Sequence, residues 1–133
     1  MFLLDTNVIS DARRGAPMVT AWFRSIQPDA IWFSVIALGE IQAGIEKLRS
    51  KDRQRAETLL AWLNRLRSEH SDRILPITMD IALEWGRISA LRTRGAPDAL
   101  IAATAIVHGL TLVTRNSRDF EDLPLTLVNP WQR

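Results

Sequence analysis

The stretch Asp98-Ala-Leu-Ile-Ala-Ala-Thr-Ala-Ile-Val-His-Gly-Leu-Thr-Leu-Val-Thr114 sets the architecture expected of this chain. One carboxylate, Asp98, stands directly ahead of one of the most apolar runs in the sequence. The run reads as a short, deeply buried helix over Asp98–His108, stopped by Gly109. A second apolar segment, Thr111 to Thr114, follows at once and has the length of a strand. A buried helix that feeds a buried strand is the unit of an α/β protein.

The same alternation runs through the rest of the chain. Candidate strands are Phe2–Leu4, Ala30–Phe33, Ile74–Ile77, Thr111–Thr114 and Leu125–Val128. Several lack polar alternation, as strands covered on both faces do. Ala16–Ile26 reads as a helix, with Val19, Trp22, Phe23 and Ile26 on one stripe. Val35–Leu48 is a second, with Leu38, Ile41, Ile45 and Leu48 in phase and Ser34 placed to cap it. Gln54–Arg67 is a third, turning Leu59, Leu60, Leu63 and Leu66 inward. The second and third are expected to pair antiparallel. Met79–Leu91 is a fourth, with Ile81, Trp85, Ile88 and Leu91 aligned. These elements predict an α/β protein with a mostly parallel sheet of about five strands. At 133 residues the chain is expected to form one domain, 1–133, with a sizeable core.

Composition narrows the function classes. No apolar run reaches the length of a membrane span. The opening Met1-Phe-Leu-Leu-Asp5 lacks the basic region of a signal peptide. With no cysteine, disulfides and thiolate metal sites are excluded. A cytoplasmic location is the default expectation. The pI near 9.9 overstates the basic character. Fifteen of the seventeen basic residues are arginine and the net charge is only +2. Arginine does not titrate in proteins, so a small excess persists to high pH. The arrangement of charge says more than its sum. Lys47–Arg55 is densely basic, and Arg92, Arg94, Arg115 and Arg118 flank acidic positions. Such charges suit either a solvated helix face or phosphate binding.

The acidic residues sit where strands end or helices begin. Asp5 closes the first strand, Glu40 lies early in the helix after the second, Asp98 opens the buried helix, and Asp119 follows the fourth strand. Open α/β sheets bind ligands at the carboxyl ends of their strands. Carboxylates converging there repel one another unless a cation is present. All-oxygen ligands suit Mg²⁺ or Mn²⁺. Each residue also has an ordinary explanation. Asp5 and Asp98 are good helix caps, Glu40 fits a solvated helix position, and Asp119 fits a turn. His70 and His108 have no metal-pair spacing. Trp22, Trp62 and Trp85 lie on or beside apolar stripes and suit core or subunit contacts.

Four segments together carry a family resemblance. Leu3-Leu-Asp-Thr-Asn-Val-Ile-Ser10, Ser34-Val-Ile-Ala-Leu-Gly-Glu-Ile41, Asp98-Ala-Leu-Ile-Ala-Ala-Thr-Ala105 and His108-Gly-Leu-Thr-Leu-Val-Thr-Arg-Asn116 with Asp119-Phe120 resemble the PIN-domain ribonucleases. More narrowly, they resemble the VapC toxins of bacterial type II toxin–antitoxin modules. The resemblance covers essentially the whole chain. It implies a three-layer α/β/α fold and a Mg²⁺-dependent endoribonuclease, with Mn²⁺ as an alternative ion. It also implies RNA as substrate, cut by a water that the cation activates. A VapB-type antitoxin is the implied partner, with a homodimer that assembles further with it.

Carried over by motif, Asp5 and Asp98 are the principal metal ligands, and Glu40 is the third acid, acting directly or through water. Asn116 and Asp119 compete for the fourth position, with Asp119 preferred. Thr6 and Asn7 would support Asp5. Arg92, Arg94, Arg115 and Arg118 would hold the RNA backbone. An antitoxin segment carrying Arg or Lys would enter the acidic cleft, its apolar residues lying in a groove bordered by the Val35–Leu48 and Gln54–Arg67 helices. One departure from the family is a short connection between the Met79–Leu91 helix and Asp98. Two other readings stay open. One is a binding module of this fold with a degraded site. The other is a phosphatase-type hydrolase with Asp5 as nucleophile, although Asn7 stands where such enzymes want a second Asp.

Overall fold

The computed structural model describes residues 1–132. Five strands form its centre: β1 (Phe2–Leu4), β2 (Ile31–Ser34), β3 (Ile74–Leu75), β4 (Thr111–Val113) and β5 (Leu127–Val128). They pair in parallel, in the order β3-β2-β1-β4-β5. Leu3 and Leu4 are consecutive and both buried, as are Leu112 and Val113. Successive strand side chains point to opposite faces, so burial of both means that both faces are covered. The helices supply that cover, giving three α/β/α layers. Among the described residues no helix is long and apolar enough to cross a membrane.

Every expected strand is present, and most are shorter than the apolar runs. Ala30 belongs to a 3₁₀ turn, Pro28–Ala30, ahead of β2. Pro76 has no N–H for the ladder and follows the end of β3 directly, leaving Ile77 outside. Leu125 donates to Leu123 O in a turn before β5.

The helices are α1 (Thr6–Arg13), α2 (Pro17–Arg24), α3 (Val35–Arg49), α4 (Arg53–Glu69), α5 (Met79–Ser89) and α6 (Ala96–His108). Helix α1 has no counterpart among the helices expected from the sequence. Its apolar residues, Val8, Ile9 and Ala12, span barely two turns, too few to establish a period. Ser34 caps α3 as expected, its Oγ accepting from Ile36 N–H at 3.0 Å. Asp52 caps α4 by accepting from Arg55 N–H at 3.1 Å, and α3 and α4 pack side by side. Arg49 binds Glu57 at 2.6 Å and Glu46 at 3.1 Å, so part of the basic stretch is spent within the pair. The expected stripe of α5 is half correct. Ile81 and Ile88 are buried, but Trp85 and Leu91 are exposed. Leu91 lies beyond the last helical residue and loses the phase.

Helix α6 begins at Ala96, with Gly95 as its cap, so Asp98 falls inside the first turn. Ala99, Ile101, Ala102, Ala103, Thr104 and Ala105 are all buried. Small residues at these positions let α6 approach its neighbours closely. Gly109 ends the helix at φ 64°, and its N–H returns to Ile106 O. A methyl group there would meet no neighbour. The cost of Gly109→Ala is therefore purely conformational. We expect it to lower the unfolding free energy by about 1–2 kcal/mol. Urea titration checks this, and a loss below about 0.5 kcal/mol would show that the left-handed turn is not held.

Candidate active site

Strand β1 lies between β2 and β4, and the chain leaves it toward β2 and β3 before returning on the other side at β4. A crevice opens at the carboxyl ends of strands at such a reversal. Asp5 is the first residue past β1 and occupies that seam. Its N–H donates to Val113 O at 2.9 Å, joining it to β4. Its Oδ1 accepts from Thr6 N–H at 2.8 Å. Its Oδ2 accepts from the Thr114 hydroxyl, also at 2.8 Å. Thr114 is fully buried and in turn accepts from Asn116 N–H at 3.0 Å. Asp5 is itself only 4% exposed, so its carboxylate is fixed in position and direction.

Glu40 reaches the same place from the second turn of α3. Its Oε1 accepts from the Thr6 hydroxyl at 2.5 Å. Thr6 thus bonds one acid through its backbone and another through its side chain. Asp98 comes from the first turn of α6 and is half-buried. The expected alternative of a capping role does not apply, because the cap is Gly95 and no side-chain cap bond forms. Asp119 is exposed on the 3₁₀ turn Ser117–Phe120, its N–H bonded to Asn116 O at 3.0 Å.

These carboxylates feel one another. Burial pushes the Asp5 carboxyl above the usual range, opposed by the bonds from Thr114 and Thr6 and reinforced by the charges of Glu40 and Asp119. Burial also raises Asp98, with further upward contributions from Asp5 and Asp119. Among the described residues none of the four is ion-paired; the arginines pair with other acids. Neither are any three drawn close enough, as the side chains lie, to grip an ion together. A cation would turn repulsion among them into attraction. The donor set is all oxygen and has no competing base, which fits a hard divalent ion. His70 is elsewhere, packed on Phe33 with its Nδ1 3.1 Å from Arg73, and burial lowers its pKa. His108 is exposed in the last turn of α6.

The supporting residues divide. Thr6 holds Asp5 as expected, whereas Asn7 is exposed and makes no side-chain bond among the described residues. Asn116 contributes through its backbone. Arg92, Arg115 and Arg118 are exposed beside the acids. Arg115 stacks over Trp131 and lies 3.5 Å from Asp11. Arg94 corrects the expectation of a phosphate contact. Its side chain is 4% exposed and is paired with Asp122 at 2.5 Å. Sequence reasoning missed Thr114 as a partner of Asp5 and missed buried Asp11, which pairs with Arg14 and Arg115. The run Leu112-Val-Thr-Arg-Asn116 held the signal for Thr114: a hydroxyl one residue past a strand that adjoins β1.

Two hollows adjoin the site. A cavity of about 260 Å³ opens beside Thr6 and Glu40, with Arg13, Arg14 and Arg55 on its walls. An apolar one of about 390 Å³, lined by Leu4, Ile9, Phe23, Phe33 and Leu66, shares Arg13 and Trp62 with it. Arg13 stacks on Trp62 at 5.7 Å. This groove runs between α1 and the α3–α4 pair. The expected groove bordered by α3 and α4 has its counterpart here, since Ile41, Gly44 and Ile45 of α3 and Arg55, Leu59 and Trp62 of α4 line the smaller hollow.

A parallel α/β sheet with carboxylates near its reversal point has them where open α/β sheets bind their ligands. Residues 2–124 match the PIN domain model. The chain is 34% identical to toxin FitB of Neisseria gonorrhoeae, covering 98% of this chain and 99% of FitB. It is 30% identical to VapC ribonuclease Y4jK of Sinorhizobium fredii, over 99% of each. The crystal structure of FitAcB from Neisseria gonorrhoeae superposes with a TM-score of 0.88 at 31% identity, covering all of both chains. The chain belongs to the PIN-domain family.

The raised carboxyls fix a sign. A carboxyl whose folded pKa exceeds its unfolded value binds protons more tightly in the folded state. Its contribution is complete below the unfolded value and is lost as pH rises through the folded one. The dipole of α6 favours the Asp98 anion, yet the net shift is upward. Asp98 also loses no side-chain bond on substitution. Asp98→Asn should therefore raise the melting temperature of the metal-free protein at neutral pH. The gain should shrink on acidification toward about pH 4. Thermal unfolding of the EDTA-treated protein across this range checks it; a variant less stable at neutral pH would contradict the assigned repulsion.

Proposed function

We propose that this chain is a metal-dependent endoribonuclease and the toxin of a toxin–antitoxin pair. The observation that carries the reading is the buried Asp5 carboxylate, sharing its crevice with Glu40, Asp98 and Asp119 and with no basic partner among the described residues. The relatives named as ribonuclease and toxin support the same reading across nearly the full length.

Asp5 and Asp98 would hold Mg²⁺ or Mn²⁺, with Glu40 as a direct or water-bridged third ligand and Asp119 acting from the turn beyond β4. When bound, such an ion makes water nucleophilic near neutral pH and offsets charge on the phosphoryl oxygens. Thr6 and Thr114 keep Asp5 from rotating away, and Thr6 also orients Glu40. Arg118, Arg92 and Arg115, which are exposed, and Arg13 and Arg55, which line the groove, would bind backbone phosphates; such contacts set register without reading sequence. A second copy of the chain has an apolar surface at hand in the exposed Met79, Leu83 and Trp85 of α5.

Cleavage of RNA by the purified protein in Mg²⁺ or Mn²⁺ tests the reading. Asp5→Asn and Asp98→Asn should each lose at least about a hundredfold in rate, the scale of several kcal/mol of transition-state stabilisation. Glu40→Gln should be severely impaired and Asp119→Asn reduced by roughly tenfold. Unchanged turnover in either Asp5→Asn or Asp98→Asn removes that residue from the site.

The antitoxin of VapB type would place a basic side chain among the carboxylates, for which the fork of Arg is suited. Its apolar residues would fill the hollow beside Trp62, between α1 and the α3–α4 pair. Inhibition by a short peptide from such a segment should then weaken as Mg²⁺ rises. An inhibitory peptide insensitive to Mg²⁺ would place its action away from Asp5 and Asp98.

A further inference from the structure

The four acids are held in two different ways. Asp5 and Glu40 are fixed by hydrogen bonds from Thr6 and Thr114 to their carboxylates. Asp98 and Asp119 have no such side-chain bonds among the described residues, so their positions depend on where the backbone carries them. Asp98 follows the connection from α5 to α6, which spans only residues 90–95. Asp119 sits on the turn after β4. Two arginines cross between these segments. Arg94 Nη2 donates to Asp122 Oδ2 at 2.5 Å. Arg92 Nη2 donates to the backbone oxygen of Asp119 at 3.3 Å, and its Nη1 lies 3.9 Å from Asp122.

The pair is not an ordinary surface contact. The Arg94 side chain is 4% exposed, against 35% for Asp122. Nε and Nη1 of Arg94 are buried without a hydrogen-bond partner among the described residues. Its charge is therefore compensated by Asp122, and loss of that carboxylate would strand a buried cation. The Arg94 hydrogen bond correspondingly holds the Asp122 carboxyl below its usual range. Burial of a cation on so short a connection, four residues ahead of Asp98, implies that the segment has little freedom while the pair is intact.

We propose that Arg94 and Asp122, assisted by Arg92, form a brace that positions Asp98 against Asp119 and so completes the acid site on its loosely held side. This rests on the reading of the acids as a cation site. Arg94, Arg92 and Asp122 are positioning residues: they act through the backbone of the two segments.

The test uses full-length protein, with Mn²⁺ affinity measured by calorimetry and amide hydrogen exchange followed in metal-free buffer. Asp122→Asn and Arg94→Gln should each weaken Mn²⁺ binding by roughly tenfold, the scale of lost support around a ligand. Each should also speed exchange in both segments, 90–99 and 117–122, though only one carries the substitution. Arg49→Ala breaks a short ion pair at the α3–α4 turn and should leave Mn²⁺ affinity unchanged. The exchange-protection losses of the double variant Arg94→Gln/Asp122→Asn should match those of either single one rather than their sum. Wild-type Mn²⁺ affinity in both folded single variants, or faster exchange confined to the substituted segment, overturns the brace. If a single variant fails to fold, the charge-reversed pair Arg94→Asp/Asp122→Arg decides: recovery of exchange protection in both segments supports the brace, and exchange as fast as in the folded single variant refutes it. Failure of wild-type protein to bind Mn²⁺ would count against the cation reading, while the exchange result would still decide the brace.

Discussion

The hydrogen bond from Asp5 N–H to Val113 O closes the seam between β1 and β4, and the site depends on that seam. A parallel sheet that reverses its strand order leaves an opening beyond the carboxyl ends of the two central strands. The backbone of Asp5 is bonded into this seam, so its carboxylate has to share the space with Thr114 from β4 and Thr6 from α1. The side chain is buried because of where its backbone must be. The bonds from Thr6 and Thr114 offset part of the cost, but burial still raises its pKa. A buried anion without a cationic partner works against stability. Such positions are retained where function needs them.

The arrangement of the other acids follows from the same topology. Glu40 is brought in by α3, which leaves β2 on one side of the seam, while Asp98 arrives on α6, which leads into β4 on the other. Asp119 stands on the turn beyond β4. The sheet order therefore carries acids at positions 5, 40, 98 and 119 toward one end of the sheet, despite their distance in sequence. The Asp5–Glu40 side is stiffened by direct hydrogen bonds. On the Asp98–Asp119 side an ion-paired brace carries the load from outside.

Much of this was legible in the sequence, for identifiable reasons. The strands are nearly all apolar and flanked by polar or turn residues, so their existence was clear while their ends were not: Pro76 cuts β3 and a 3₁₀ turn takes Ala30. The buried face of α6 showed plainly because Ala99 to Ala105 admits no solvated side. Helix α1 was lost because two turns cannot display a period. The acids were conspicuous in the sequence because each stands at or near an element boundary. Their supports were not, since Thr6–Glu40 and Thr114–Asp5 are separated by 34 and 109 residues. Arg94 resembled its exposed neighbour Arg92 in sequence, and only the folded turn at Asp122 distinguishes them.

The most direct measurement is anomalous scattering from crystals soaked in Mn²⁺. The account predicts a peak bounded by Asp5 and Asp98, with oxygen ligands at about 2.1–2.2 Å and Glu40 in contact directly or through one water. Soaked crystals of Asp98→Asn should lose that peak. An ion bound elsewhere, or a wild-type crevice in which Asp5 and Asp98 remain unbridged at saturating Mn²⁺, would contradict the claim that these carboxylates form a cation site.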